Sequence, residues 1–259
     1  MTYFIKLLKS DLLKLNGSFI FSIVLIFPFI IVILANVLTY SICKSTMMIE
    51  GINPWMILAR YLYLLIAFML PIILSLLSYQ VNMIEIRSNG YRQLFTMPFP
   101  KILIYFSKIS LLVILLICII IVIFCLNVVS GFVLQQIKPI LVFNKYFIFD
   151  QMTLYYVKLF VTMLSIVLIQ FNLSFFIRNI LISTGLPLIL IILGVFISTW
   201  DYIYLFPFAY GFNINNEFIA GINIFFTLNI ISGIVYVLIF MALGLFLTMR
   251  INRFKGFFN

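Results

Sequence analysis

The 259-residue chain has no histidine, only six acidic residues and just 8% charged residues in all. Each absence removes a class of chemistry. Without histidine there is no Ser-His dyad, no imidazole base and no intramembrane metalloprotease pattern. The six carboxylates are scattered along the chain and are expected to stay too far apart for an acid/base pair. No Gly-x-x-x-x-Gly-Lys-Ser/Thr stretch occurs, so nothing here cradles nucleotide phosphates in the P-loop manner, and any ATP used belongs to a partner. The three cysteines, Cys43, Cys118 and Cys125, form neither a zinc-ligand spacing nor an even-numbered disulfide framework. They read as packing residues that behave as small hydrophobes. No cofactor is implied.

What fills the chain is apolar: 66% hydrophobic residues and a mean hydropathy of +1.30. This lies far outside the composition of soluble domains and predicts an all-α integral membrane protein with little mass outside the bilayer. The formal charge of +10 does not make a nucleic-acid binder, because the basic residues lie between hydrophobic runs and never gather into a domain. Six helical spans are expected at about 19–42, 55–83, 102–133, 152–176, 180–199 and 219–249 within one transmembrane domain covering 1–259. Pro28, Pro71, Pro187, Gly194, Gly233 and Gly244 fall inside these runs, where a bundle tolerates them. The runs are continuously apolar, unlike the short alternating segments of a β-barrel. The first is too long for a secretory signal core and is expected to remain as a span.

Charge orients the chain. With both termini cytoplasmic, the inner side carries Lys6, Lys9, Lys14, Arg87, Arg92, Lys101, Lys108, Arg178, Arg250, Arg253 and Lys255. The outer side carries Lys44, Arg60, Lys138, Lys145 and Lys158. The excess of inner positive charge favours this orientation in a plasma membrane. Arg60 and Lys158 lie near the outer ends of spans two and four and are expected to snorkel to the headgroups. Met1 to Asn16 places Phe4, Leu7, Leu8, Leu12 and Leu15 at helical spacing with lysines between them, which predicts an interfacial helix on the inner leaflet. Of the mid-span polar groups, Asn36, Ser75, Gln80, Asn127, Gln170, Asn172 and Asn229 are expected to hydrogen-bond between helices.

The one sizeable cytoplasmic loop, 84–101, follows span two. Its charges alternate with Tyr91, Leu94 and Phe95, while Asn89-Gly90 and Pro98-Phe99-Pro100 punctuate it as turns. It reads as a short amphipathic helix able to dock in a partner's groove. Glu85, Gly90, Leu94, Pro98, Lys101 and Lys108 follow a pattern that resembles the corresponding loop of the membrane subunits of ABC-2-type ATP-binding-cassette exporters. The threonine often found after the glycine there is Tyr91 here. The layout of an N-terminal interfacial helix, six spans and a longest cytoplasmic loop between spans two and three is also similar. Within that family the chain looks most like small permeases of lantibiotic and bacitracin self-immunity, whose aromatic, proline-containing segment resembles Trp200 to Tyr210.

The resemblance implies a permease without catalysis of its own. Two permease chains, identical or a related pair, would sit in a bacterial plasma membrane on soluble P-loop ATPase subunits, with Glu85, Leu94 and Phe95 in the coupling loop transmitting ATP-driven movement. The implied cargo is a peptide antibiotic drawn from membrane lipid. Rival readings are an exporter of another lipophilic compound or drug, a polytopic membrane enzyme, and a stand-alone immunity protein that works by binding.

Overall fold

A computed structural model of the chain describes residues 2–15, 19–46, 53–87, 100–137, 143, 148–177 and 179–250. Eight α-helices and no strands are found among them. Helix α1 is Thr2–Leu15, followed by the long helices α2 (Phe19–Thr46), α3 (Pro54–Arg87), α4 (Lys101–Ile137) and α5 (Phe149–Phe176). Then come α6 (Ile180–Phe196), two 3₁₀ turns at Ile203–Leu205 and Pro207–Ala209, the short α7 (Tyr210–Ile219) and the final α8 (Leu228–Arg250). The starts and stops follow local chemistry. Asn53 caps α3 by accepting from the Trp55 amide at 2.9 Å, with Pro54 in the first turn, where its missing N–H costs nothing. Asn179 does the same for α6, accepting from the Leu181 amide at 2.9 Å. Pro28, Pro71 and Pro187 lie inside continuous helices.

Five helices are long and apolar enough to cross a membrane, at Ser22–Ser41, Pro54–Arg87, Lys101–Ile137, Phe149–Phe176 and Leu228–Met249. The segment expected at 180–199 forms the 17-residue α6, about 25 Å long at 1.5 Å per residue against a hydrocarbon core of about 30 Å. The apolar run expected as one helix over 219–249 is instead divided. Gly221 adopts φ 72° and ends α7. Its amide donates to Phe218 O at 3.1 Å and that of Ile222 to Glu217 O at 2.9 Å, the paired bonds of a glycine-terminated helix end. Helix α8 begins only at Leu228.

Helix α3 is the axis of the bundle and packs against α2, α4, α5, α6 and α7. The packing inverts the soluble rule. Leu25, Phe29, Ile33 and Val37 of α2 face outward while Val24, Phe27, Ile31 and Ala35 face inward, so both sides are apolar. Polar groups turn to the interior. Asn82 donates to Phe171 O at 3.1 Å and to Ser174 Oγ at 2.6 Å, joining α3 to α5. Asn172 joins α5 to α8 by donating to Phe240 O at 2.8 Å, and Asn127 joins α4 to α5 by donating to Tyr156 Oη at 3.1 Å. Gly244 leaves room for the Tyr105 hydroxyl, where a Cβ would collide with it. Cys118 and Cys125, expected as packing residues, are exposed free thiols on the outer face of α4, because bilayer as well as protein can cover a small hydrophobe. The side chain of Cys43 lies outside the described residues.

Candidate functional site

At the end of the bundle where α3 stops and α4 starts, α1 lies against α4. The face it presents carries Leu7, Leu8, Asp11, Leu12 and Leu15 at helical spacing, and within this apolar stripe Asp11 is the one charge. Leu15 and Asp11 are buried. The carboxylate is not left alone. Lys108 Nζ of α4 donates to Asp11 Oδ1 at 2.6 Å and to Glu85 Oε1 of α3 at 2.6 Å. Ser107 Oγ donates to Asp11 Oδ2 at 2.8 Å. Lys14 Nζ completes the group, 2.7 Å from Glu85 Oε1 and 4.0 Å from Asp11 Oδ1.

Two carboxylates and two ammonium groups make a neutral cluster drawn from three helices. Glu85 is fully buried, and Lys108 and Asp11 are 3% and 5% exposed, whereas the Lys14 side chain keeps 37% of its surface. Dehydrating a charge costs several kcal/mol, so a buried cluster survives only when every charge has a close opposite partner. That requirement gives the cluster a mechanical property. Separating α1, α3 and α4 would strand one or more charges in a poorly solvated place, so the ends of the three helices are held in one register. The carboxylates expected to stay scattered therefore do meet, two of them on one lysine. Each serves as counter-charge to Lys108 and Lys14.

Of the residues named from the sequence for the coupling loop, Glu85 is in the last turn of α3, Lys101 opens α4 and Lys108 lies two turns further along it. Glu85 and Lys108 come together in the cluster. Gly90, Leu94, Phe95 and Pro98 lie outside the described residues. Sequence reasoning missed Asp11, Lys14 and Ser107 as partners. The available signal was Asp11 itself, an acidic residue on the apolar stripe of an otherwise basic amphipathic helix. Beside the cluster, Lys101, Tyr105, Lys108, Asn172, Phe175 and Thr248 line a crevice of about 30 Å³ between α4, α5 and α8. It has room for about two waters.

The opposite end of the bundle carries a second buried pair. Lys158 of α5 is 2% exposed, and it donates to Glu217 Oε2 of α7 at 2.9 Å and to Ile222 O at 3.4 Å. Asn229 of α8 donates to Glu217 Oε1 at 2.7 Å and accepts from Asn213 at 3.1 Å. The expected snorkelling of Lys158 is thus corrected: α7 covers the site and brings a carboxylate within reach, so the ammonium need not seek the headgroups. Arg60, by contrast, is exposed. Helix α7 also buries Tyr210, Gly211, Ile214, Asn215 and Phe218 against α3 and α5. Phe218 meets Tyr63 edge-on at 4.9 Å, and Tyr63 stacks on Tyr155 at 3.5 Å.

Residues 7–194, most of the chain, match the family described as ABC-2 family transporter protein. No curated protein and no solved structure matches the chain.

Proposed function

The chain belongs to the ABC-2 family of transporter proteins, and from that premise we propose that it is the membrane-spanning permease subunit of an exporter powered by a separate P-loop ATPase. The family match carries this reading. Two permease chains, identical or related, would complete the pathway, with both termini cytoplasmic in a bacterial plasma membrane. Placing Lys108 and Lys158 in buried ion pairs takes one lysine from each side of the charge count, so the excess of inner positive charge stands.

In this reading the segment between Arg87 and Lys101 is the contact for the ATPase, with Leu94 and Phe95 as its apolar patch and Gly90 and Pro98 as its breaks. The ion cluster supports the role because Glu85 and Lys108 stand on the two helices that this segment joins, and Asp11 ties both to α1. A push on the segment would reach three helices together. Helix α1 would lie along the inner leaflet, with Lys6 and Lys9 toward the headgroups and Leu7, Leu8, Leu12 and Leu15 toward the bundle.

For cargo, the proposal is an amphipathic antimicrobial peptide captured laterally from the bilayer, as in self-immunity to lantibiotics. Support comes from the pairing of the buried charges: Lys108 and Lys158 are both neutralised, which suits an apolar route better than an aqueous one. Co-expression with a P-loop ATPase followed by purification through one subunit tests the class, and both chains should elute together. Changing Leu94 and Phe95 to Asp should abolish that association while the chain remains inserted. Tolerance of a sensitive strain tests the cargo. It should rise toward pore-forming or lipid-binding peptides and stay unchanged toward small hydrophilic drugs. Export of a different lipophilic compound would retain the class and remove the peptide.

A further inference from the structure

Helices α6 and α7 share one crossing of the bundle, and the turn between them starts from mid-depth. Thr162 stands halfway along α5, and a Cβ on Gly233 of α8 would lie 3.5 Å from its Cα and 3.7 Å from the Tyr210 ring. A Cβ on Gly194 of α6 would meet that of Ala209 at 3.4 Å, and Gly211 lies against Ala67 of α3. Both ends of the turn are therefore level with the middle of α5. Tight bonds keep it short: the amides of Trp200, Ile203 and Leu205 donate to Ile197 O, Trp200 O and Tyr202 O at 2.9, 3.1 and 2.9 Å. At about 2 Å per residue in such turns, Asp201 reaches no more than about 13 Å beyond the middle, inside the half-thickness of about 15 Å of the hydrocarbon core. Ser198, Thr199, Trp200, Asp201 and Tyr202 are all exposed. On α3, Arg60 is exposed too, two turns outward from Ala67 on the same face and so about 10 Å from the middle. Neither the Arg60 nor the Asp201 side chain has a partner among the described residues. The two charges flank α6: α3 packs along one side of it, while the turn is tied to α8 by the Tyr236 hydroxyl, which donates to Leu205 O at 2.7 Å.

We propose that this face, α6 with Arg60 on one side and Asp201 on the other, binds a second copy of the chain, Arg60 of each copy pairing with Asp201 of the partner subunit. The proposal rests on reading the chain as one of two permease subunits, and it names where they meet. Irregular backbone and a carboxylate are not left facing hydrocarbon. A guanidinium on its long stem can bend to the headgroups. An aspartate at this depth cannot, so it needs a cation brought to it. A twofold axis normal to the membrane keeps depth and exchanges left with right. Opposite charges at like depth on the two sides of one helix therefore meet each other's counterparts when α6 packs on α6. Guanidinium and carboxylate suit such a contact, because they pair through two parallel hydrogen bonds. The seam between them is apolar: Ile182, Ile189 and Phe196 are exposed and seven residues apart, one stripe of the helix. Hydrocarbon would cover that stripe equally well, and it is the pair of charges that selects a second copy.

The test co-expresses two differently tagged full-length chains in which Cys43, Cys118 and Cys125 are replaced by alanine, one carrying Arg60→Cys and the other Asp201→Cys, and treats the membranes with a short bis-maleimide. The crosslinked product should carry both tags, and either variant expressed alone should give several-fold less, because like positions stand on opposite sides of the axis. Charge supplies a second readout. Arg60→Asp or Asp201→Arg should each lower the dimer fraction in detergent several-fold, and the two exchanges together in one chain should restore it. Like-with-like products that outweigh the mixed one, or a double exchange no better than either single one, overturn the proposal. So does labelling of Asp201→Cys by an impermeant thiol reagent from outside without any crosslink, which would assign the turn to a water-filled recess. Co-elution with the ATPase is read separately: where it persists without the mixed product, this interface fails and the exporter reading stands.

Discussion

The two ends of the bundle solve one problem in different ways. At each, a short helix is held against long ones by a buried lysine and carboxylate: α1 by Lys108 with Asp11 and Glu85, and α7 by Lys158 with Glu217. At the α1 end the lysine is shared by two carboxylates and a second, half-exposed lysine restores neutrality. At the α7 end there is one pair, and its spare valences go to neutral groups, the Asn229 amide and the Ile222 carbonyl. The sharing matters because loss of one member at the α1 end leaves a net charge among the others, whereas at the α7 end amides remain to solvate what is left. The first arrangement suits a joint that must move as one body. The second suits a segment that packs firmly and yet has one connection to release.

The sharpest way to break the comparison is Lys108→Met. It leaves Asp11 and Glu85 buried without their common cation, and stability should fall by about 3–5 kcal/mol, the cost of stripping a partner from a buried charge. Thermal unfolding of the detergent-purified chain, followed by Trp55 and Trp200 fluorescence, would register it. Adding Asp11→Asn and Glu85→Gln to that variant removes the stranded charges and should recover most of the loss. Failure to recover would mean that the lysine acts through packing, not charge.

At the other end, Glu217→Gln should cost less, about 2 kcal/mol, because the substituted amide oxygen can still accept from the buried Lys158 ammonium, the Ile222 carbonyl stays within reach of it, and water has access to the 12% exposed Glu217 side chain. The consequence should be local. A cysteine at Ile214, on the buried face of α7, should gain reactivity toward a small thiol reagent in this variant, while a cysteine at Ile109 beside the ion cluster should not. Equal gains at both positions would show that the two ends are not independent.

A third substitution separates docking by charge from docking by shape. Gly211 of α7 lies so close to α3 that an added Cβ would stand 2.7 Å from Ala67 Cα, whereas at Gly185 of α6 it would meet nothing within 4 Å. Gly211→Ala should therefore destabilise by about 1–2 kcal/mol through overpacking and Gly185→Ala should be nearly silent. A silent Gly211→Ala would mean that α7 rides loosely on α3 and that Lys158 alone secures it.

How much of this was legible in the sequence depends on the range of the cause. The apolar runs, the amphipathic α1 and the prolines tolerated inside helices follow from composition and spacing, and the structure has the corresponding helices. The Asn53 and Asn179 caps are equally local. What could not be read is whatever a distant segment supplies. Lys158 looked like a residue that would reach for the headgroups because the 59 residues separating it from Glu217 conceal that α7 folds back beside it. Glu85 and Lys108 were noticed for their places around one loop, but their common partner Asp11 is 97 residues from Lys108. In the sequence the division at Gly221 shows only as a glycine within an apolar run. Hydropathy does not register a positive φ.

The smallest effect should come from Lys14, and it tests whether burial, more than contact distance, ranks the members of the cluster. Lys14 Nζ stands 2.7 Å from Glu85 Oε1, nearly the 2.6 Å of Lys108, yet its side chain is 37% exposed against 4%. An ammonium open to water gives up little hydration when it pairs and loses little when the pair is broken, so Lys14→Gln should cost less than about 1 kcal/mol. Its cost should also depend on salt. Screening shortens the reach of an exposed charge from about 10 Å at 0.1 M to about 3 Å at 1 M, while a buried contact barely responds. Unfolding of Lys14→Gln and of Lys108→Met at low and at molar salt should therefore diverge: the small loss at Lys14 should fade, and the large loss at Lys108 should persist. If Lys14→Gln matches Lys108→Met at both salt concentrations, the two lysines are equivalent, and α1 is held by a four-membered unit in which burial sets no order.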